Sequence, residues 1–205
     1  MKTFCLTLLF VVLAACTISP QGLTYYQFES NTVAESSQAP AIQPQLLVVE
    51  KPQLLGILSQ QGIAMRYDGT RLKNANYHLW SDDPSTMLMN MAQLQLRDNQ
   101  WTALTRYQFQ PLSNSNRPHY QLSWQLDKFN GTTDGTAEIS GQWQLYFHYD
   151  ASRSHLLAVV PFSHVNPIPD EGYGALVTSL QTTWSSVIDG AKPKLLEIIQ
   201  QHQQP

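Results

Sequence analysis

The sequence predicts an α+β fold: a single sheet, largely antiparallel or mixed, with two main helices packed on one face, the second a long C-terminal helix. Three observations predict it. Several segments between residues 63 and 162 alternate apolar and polar residues, the period of a half-buried strand. Two stripes, one from Met87 to Leu94 and one from Tyr173 to Ile188, recur at helical spacing. Asn-Gly and Asp-Gly pairs sit between the longest alternating segments, where hairpin turns tolerate positive φ.

The elements follow in order. Tyr25 to Phe28 reads as a short strand, and the Ser/Gln/Ala/Pro-rich stretch 30–44 as a loop. Leu46-Leu47-Val48-Val49 is a continuous apolar run, typical of a strand covered on both faces and closed off by Pro52. Ile63, Met65 and Tyr67 give another strand, ended by a turn at Asp68-Gly69, and Tyr77 to Trp80 a further short extended piece. Asp83 is placed to cap a helix, with Pro84 at the first position, where its missing N–H costs nothing. Trp101 to Phe109, Tyr120 to Leu126, Ala137 to Phe147 and Leu156 to Phe162 read as strands, with Pro167 and Pro169 closing the series. Asn130-Gly131 and Asp134-Gly135 read as turn chemistry between the second and third of these. Asp170-Glu171 open the last helix. Gly190 and Pro193 predict a kink or break in it, and Gln200 to Pro205 a frayed end.

Composition narrows the function classes. The 205 residues carry 12 Lys+Arg against 15 Asp+Glu, and this balance offers no basic patch for nucleic acid. With 22 Gln and only 13% charged residues, much of the polar surface is neutral amide. Two cysteines cannot build a Cys₄ zinc site.

Both cysteines lie at the N-terminus, which reads as an address. Lys2 supplies a positive start, and Phe4 to Ala15 is an apolar run far shorter than the roughly 20 residues a spanning helix needs. It ends in Leu13-Ala14-Ala15-Cys16, which looks like a bacterial lipobox. The division expected is a signal peptide at 1–15, a lipidated tether at 16–23, one domain at 24–200 and a flexible tail at 201–205. Cys16 is the thiol nucleophile that takes the diacylglyceryl group and becomes the first mature residue. Its acyl chains, palmitate among them, anchor stably because each buried CH₂ is worth about 0.8 kcal/mol. Thr17, where an Asp would favour inner-membrane retention in enteric-type sorting, favours the outer membrane, with the domain on its periplasmic side.

The rest of the chain carries no nucleophile elbow, zinc-protease helix or phosphate-binding glycine loop. His148 and His155 flank a turn and face each other across it in this reading, an incomplete metal shell. Asp82-Asp83 is explained by helix capping. Asn130-Gly131-Thr132 matches a glycosylation sequon but reads as a turn. Asp127, Asp134 and Glu138 surround that turn and offer a cation or acid cluster, or simply a solvated loop. No catalytic residue, metal site or cofactor is expected. The Met-rich face of the first helix reads either as core or as a docking surface, and Met87, Met91 and Trp80 are the candidate partner contacts.

The ordered features resemble the paraquat-inducible (Pqi) intermembrane transport lipoprotein family, one of the ABC-type transport auxiliary lipoproteins. The pieces that carry the resemblance are the lipobox, Tyr25-Tyr26-Gln27-Phe28, Leu46 to Glu50, Tyr77 to Trp80 entering an Asp-Pro helix start, Phe129-Asn130-Gly131, Asp134-Gly135, Ser140-Gly141-Gln142-Trp143, and Glu171-Gly172-Tyr173 with Trp184. The family usually has Trp-Ala-x-Pro-Leu at the first helix, and this chain has Trp80-Ser81-Asp82-Asp83-Pro84-Ser85. The resemblance implies a non-enzymatic outer-membrane lipoprotein that forms a homo-oligomeric ring and meets a periplasm-spanning protein built of lipid-carrying MCE domains. Together they would form a phospholipid conduit between the membranes. The alternatives are an envelope hydrolase using the acid cluster, and a structural envelope lipoprotein with no transport role.

Overall fold

The structure, a computed structural model, describes residues 22–29, 45–97, 101–106, 108–109 and 117–203. The signal segment, Cys16, Thr17 and the loop expected over 30–44 lie outside the described residues. Among the described residues there are nine strands and two main helices, in the order β1 (Thr24–Tyr26), β2 (Gln45–Val49), β3 (Gln53–Leu54), β4 (Gly62–Tyr67), β5 (Arg71–Trp80), α1 (Pro84–Gln95), β6 (Trp101–Thr105), β7 (His119–Thr132), β8 (Thr136–His148), β9 (Ser154–Pro167) and α2 (Tyr173–Gln203). This is the α+β fold with a mixed sheet and a long C-terminal helix that the sequence predicts.

Strand β7 is the spine. One edge carries β8 along almost its whole length, antiparallel, and β9 follows on β8. The other edge is shared by three parallel strands in succession: β2 at Tyr120–Leu122, β3 at Gln125–Leu126 and β4 at Gly131–Thr132. Strand β6 lies parallel on β2, β5 pairs antiparallel with β4, and β1 lies parallel on β5. The run read as covered on both faces is so placed, with Leu47, Val48 and Val49 fully buried. Alternation along β7 and β8 sends Leu122, Trp124, Leu126, Ile139, Trp143 and Leu145 inward, against Leu180, Trp184 and Ile188 of α2. The opposite face carries Gln121, Gln125, Gln142 and Gln144, and Gln142 Nε2 donates to Gln125 Oε1 at 3.1 Å.

The structure corrects several expected boundaries. Tyr77 to Trp80 is only the end of a ten-residue strand paired with β4 through the Asp68-Gly69 turn. Asn130-Gly131 is not a turn. It lies inside β7, where Asn130 is fully buried and Gly131 leaves room for Met65 and Leu176. The turn itself centres on Asp134-Gly135, with Gly135 at φ +75°. Strand β6 stops at Thr105 instead of reaching Phe109. The Thr105 N–H donates to Gln108 Oε1 and the Gln108 N–H to Thr105 Oγ1, a reciprocal cap that turns residues 106, 108 and 109 helical. Strand β9 is twice as long as expected and runs through Pro161 because it pairs with β8 alone among the described residues, so its outer edge needs no N–H there. Helix α2 begins at Tyr173 and runs unbroken through Pro193, which sits on its exposed side, where water can take the carbonyl that loses its donor. Its end is not frayed at Gln200: the helix continues to Gln203, and the Tyr120 hydroxyl is hydrogen-bonded to His202 Nδ1 at 3.0 Å.

Candidate functional site

Helix α1 starts where the sequence places it. The Asp83 carboxylate accepts the Ser85 N–H at 3.1 Å and the Thr86 hydroxyl at 3.2 Å, and pairs with the Lys51 ammonium. Burial alone would raise the Asp83 pKa. The Lys51 charge and these hydrogen bonds outweigh it and hold the carboxyl below its ordinary range. The buried face of α1 is Leu88, Met89 and Ala92, followed by Leu96 beyond its end. That rotation leaves Met87, Met91 and Leu94 half-buried at the rim.

These three residues line a groove of about 450 Å³ with Phe28, Ser81, Asp82, Asn90 and Gln95. Its two polar walls are clamped. Gln181 of α2 accepts the Glu29 N–H at 2.9 Å and donates to the Glu29 carbonyl at 3.0 Å, which fixes the segment after β1. Gln95 Nε2 donates to the Ser185 carbonyl at 3.0 Å and to Asp189 Oδ1 at 2.7 Å, which ties α1 to α2. The result is a hydrogen-bonded amide frame around two thioethers, a side-chain type whose unbranched flexibility suits irregular apolar partners. Met87 and Met91 are thus both packed against the core and accessible. Trp80, expected as an exposed contact, is only 2% exposed. As the last residue of β5 it faces inward, stacked on Phe129 at 5.5 Å, and Phe28 meets it edge-on at 5.8 Å. It supports the groove from beneath.

A second cavity, of about 550 Å³, opens where α2 begins, lined by Met65, Tyr67, Ile168, Tyr173 and Leu176 with Asp170 and Glu171 at its mouth. Tyr173 stacks on His78 at 4.1 Å, and His78 Nδ1 is hydrogen-bonded to the Tyr26 hydroxyl at 2.9 Å. Burial, with Tyr67 and Tyr26 nearby, pushes the Tyr173 hydroxyl pKa up, so it stays neutral. Nothing in the sequence periodicity joined these three rings, because they come from β1, β5 and α2.

The histidines read from the sequence are placed differently from expectation. His155 stands opposite Phe147, and His148 opposite Ser154, so the two histidines do not face each other. His148 instead stands opposite His119 on β7. Asp127 accepts the Ser140 hydroxyl at 2.6 Å and Glu138 pairs with Lys128 at 3.0 Å, while Asp134 is exposed in the turn. Asp82 accepts the Asp83 N–H at 2.7 Å, a local turn before the cap. Among the described residues, no group of three or more His, Cys, Asp or Glu is placed to hold a metal ion. Nor is any helix among them long and apolar enough to cross a membrane.

The remaining feature is β9. Its fourteen residues include no Lys, Arg, Asp or Glu, its outer edge is open among the described residues, and Leu156, Val159 and Val165 are exposed. Long uncharged edges of this kind are templates for pairing with another chain.

Comparison with known proteins is consistent along the chain. A family model described as ABC-type transport auxiliary lipoprotein component matches residues 26–190. The intermembrane transport lipoprotein PqiC of Escherichia coli (strain K12) is 26% identical over 190 residues, covering 90% of this chain and 92% of that protein. A crystal structure of protein XCC0632 from Xanthomonas campestris superposes with a TM-score of 0.68 at 19% identity, over 89% of this chain and 100% of that one. Another crystal structure, of an uncharacterized protein, gives a TM-score of 0.66 at 22% identity, over 85% of this chain and 99% of that one. These two likenesses establish the fold.

Proposed function

We propose a function from the premise that this chain belongs to the ABC-type transport auxiliary lipoprotein family: it is an outer-membrane lipoprotein that docks the distal end of an MCE-domain lipid conduit. The observation that carries this is the match to an intermembrane transport lipoprotein along 90% of the chain. Cys16 bears the lipid and Thr17 directs the protein to the outer membrane, leaving the domain in the periplasm. The role is non-enzymatic: of the candidate acids, Asp127 and Glu138 are engaged by Ser140 and Lys128, and Asp134 is exposed in the turn outside any cleft they form. The Met87–Met91 groove receives an apolar segment of the MCE-domain partner, and its hydrogen-bonded amide frame supports that reading. The charge-free edge of β9 supports association of copies into a ring.

Recovery of the MCE-domain protein on the tagged, lipidated chain tests the docking. Met87→Glu with Met91→Glu places two charges at half-buried positions and should reduce recovery about tenfold or more, on the scale of a hot-spot loss of roughly 2 kcal/mol. Undiminished recovery would remove the groove from the interface. Replacing Cys16→Ser, with an ordinary signal cleavage site retained, should release the domain from the membrane fraction. Continued sedimentation with outer membrane would refute the anchor.

A further inference from the structure

We infer that the exposed face of the β1–β5 edge, formed by Leu23, Tyr25 and Tyr77, is a seat that rests on the phospholipid surface holding the lipid anchor. This rests on the lipidation of Cys16 proposed above. Strand β1 runs parallel on β5 with Tyr25 opposite Leu79 and Thr24 opposite His78. Alternation therefore places Tyr25 and Leu79 on the face away from the helices, and Leu23 and Tyr77, each two residues earlier, on that same face. Leu23 is 56% exposed, Tyr25 54% and Tyr77 44%, so three large side chains stand together in solvent at one corner of the sheet.

The corner is held firmly. The Ser81 N–H donates to the Tyr26 carbonyl at 2.8 Å, Tyr26 is hydrogen-bonded to His78, and Gln181 clamps Glu29. The patch is therefore a fixed surface and not a loose end.

Three facts select a bilayer as its occupant. The first is reach. The seven residues 17–23 between the lipidated cysteine and β1 span about 25 Å when fully extended. The patch begins at the last of those seven, so this corner is the part of the domain nearest the anchor along the chain. The second is residue type. Tyrosine has an apolar ring and a polar tip, and it concentrates at membrane–water interfaces for that reason. The third is charge. Neither Gly22 to Phe28 nor Leu72 to Trp80 contains a carboxylate, and Lys73 lies on β5, so the three-residue patch itself sets no negative charge against an anionic headgroup layer, the exposed Glu29 and Asp82 following the far ends of the two segments. Tethering raises the effective concentration of the surface to the millimolar range, so a contact of only three side chains suffices to orient the domain. The opposite edge, β9, lies five strand spacings away, about 24 Å, and stays clear of the surface.

The test uses the full lipidated chain. With Cys5 removed and Cys16 acylated, the mature chain has no other thiol, so Tyr77→Cys and Val165→Cys can each carry one environment-sensitive fluorophore. Both are placed in phosphatidylethanolamine–phosphatidylglycerol vesicles containing a nitroxide at the shallow end of the acyl chain. Emission from position 77 should be largely lost and emission from position 165 retained, and Tyr25→Cys should repeat the result at 77. Equal quenching, or none, at 77 and 165 in a chain that floats with the vesicles would overturn the seat while leaving the anchor intact. A chain that carries no lipid and does not float would instead overturn the anchor. Protection of position 77 that appears without vesicles and grows with protein concentration in the Cys16→Ser chain would assign the patch to a second copy and also overturn the proposal.

Discussion

His119 and His148 stack face to face across the β7–β8 ladder, with ring centroids 4.7 Å apart and planes within 4°. Burial lowers the pKa of both. Arg106 adds to the effect at each, and His119 adds to it at His148, while the Arg117 carbonyl works the other way at His119.

The pair makes the fold acid-sensitive. Each imidazole has a folded pKa below its unfolded value, so the unfolded chain binds more protons in the interval between them. The stability the pair contributes is complete above the unfolded value of about 6.5 and is lost as pH falls from there toward the folded value. Thermal unfolding should show a melting temperature lower at pH 5 than at pH 7.5. His148→Phe should flatten that dependence. An unchanged slope in the variant would assign the acid sensitivity to other groups.

Gly141 lies opposite the register shift between Leu126 and Lys128 in β7. A Cβ there would fall 2.0 Å from the Gln125 carbonyl oxygen and 2.9 Å from the Leu126 Cα, both backbone atoms that cannot turn aside. At Gly131 it would meet the flexible ends of Met65 and Leu176. Gly141→Ala should cost roughly 3 kcal/mol, and Gly131→Ala about 1 kcal/mol. Urea midpoints of the two variants check the order, and the reverse order would contradict this account of the bulge.

Trp184 joins the two helices. It is fully buried, its indole N–H donates to the Leu88 carbonyl at 3.0 Å, and it meets Trp124 edge-on at 4.9 Å. Trp184→Phe keeps most of the apolar volume and should cost about 1–2 kcal/mol through the lost hydrogen bond and reduced packing. Trp184→Ala should cost about 3–5 kcal/mol. Chemical denaturation of both separates the polar contribution from the packing one.

The C-terminal turn of α2 depends on His202, which is bonded to the Tyr120 hydroxyl and packed against Phe147 at 4.5 Å. His202→Ala should cost about 1 kcal/mol locally. Amide exchange in the last helical turn should quicken while exchange in β7 stays the same. Unchanged exchange throughout would show that the helix end does not need this contact.

The sequence by itself determined the fold class, both helices, the Asp83 cap and the buried run at Leu47–Val49. Each of these is written in local chemistry: a period, a carboxylate before a proline, an unbroken apolar stretch. Some local signals were outweighed. Asn130-Gly131 has hairpin chemistry, yet the nearness of Met65 and Leu176 claims that glycine for a strand. Trp80 looks like a contact residue until alternation along a ten-residue β5 turns it inward.

Only the tertiary structure decided which residues meet. Alternation fixes the face a strand residue occupies, not its partner on the next strand. That partner depends on register set by distant pairings, such as three strands sharing one edge of β7. So His148 meets His119 and not His155, and Met87 and Met91 become a groove only because Gln95 and Gln181 bring α1, α2 and the segment after β1 together. The corner formed by Leu23, Tyr25 and Tyr77 has the same origin, since β1 lies on β5 through a parallel pairing that no local pattern in either strand encodes.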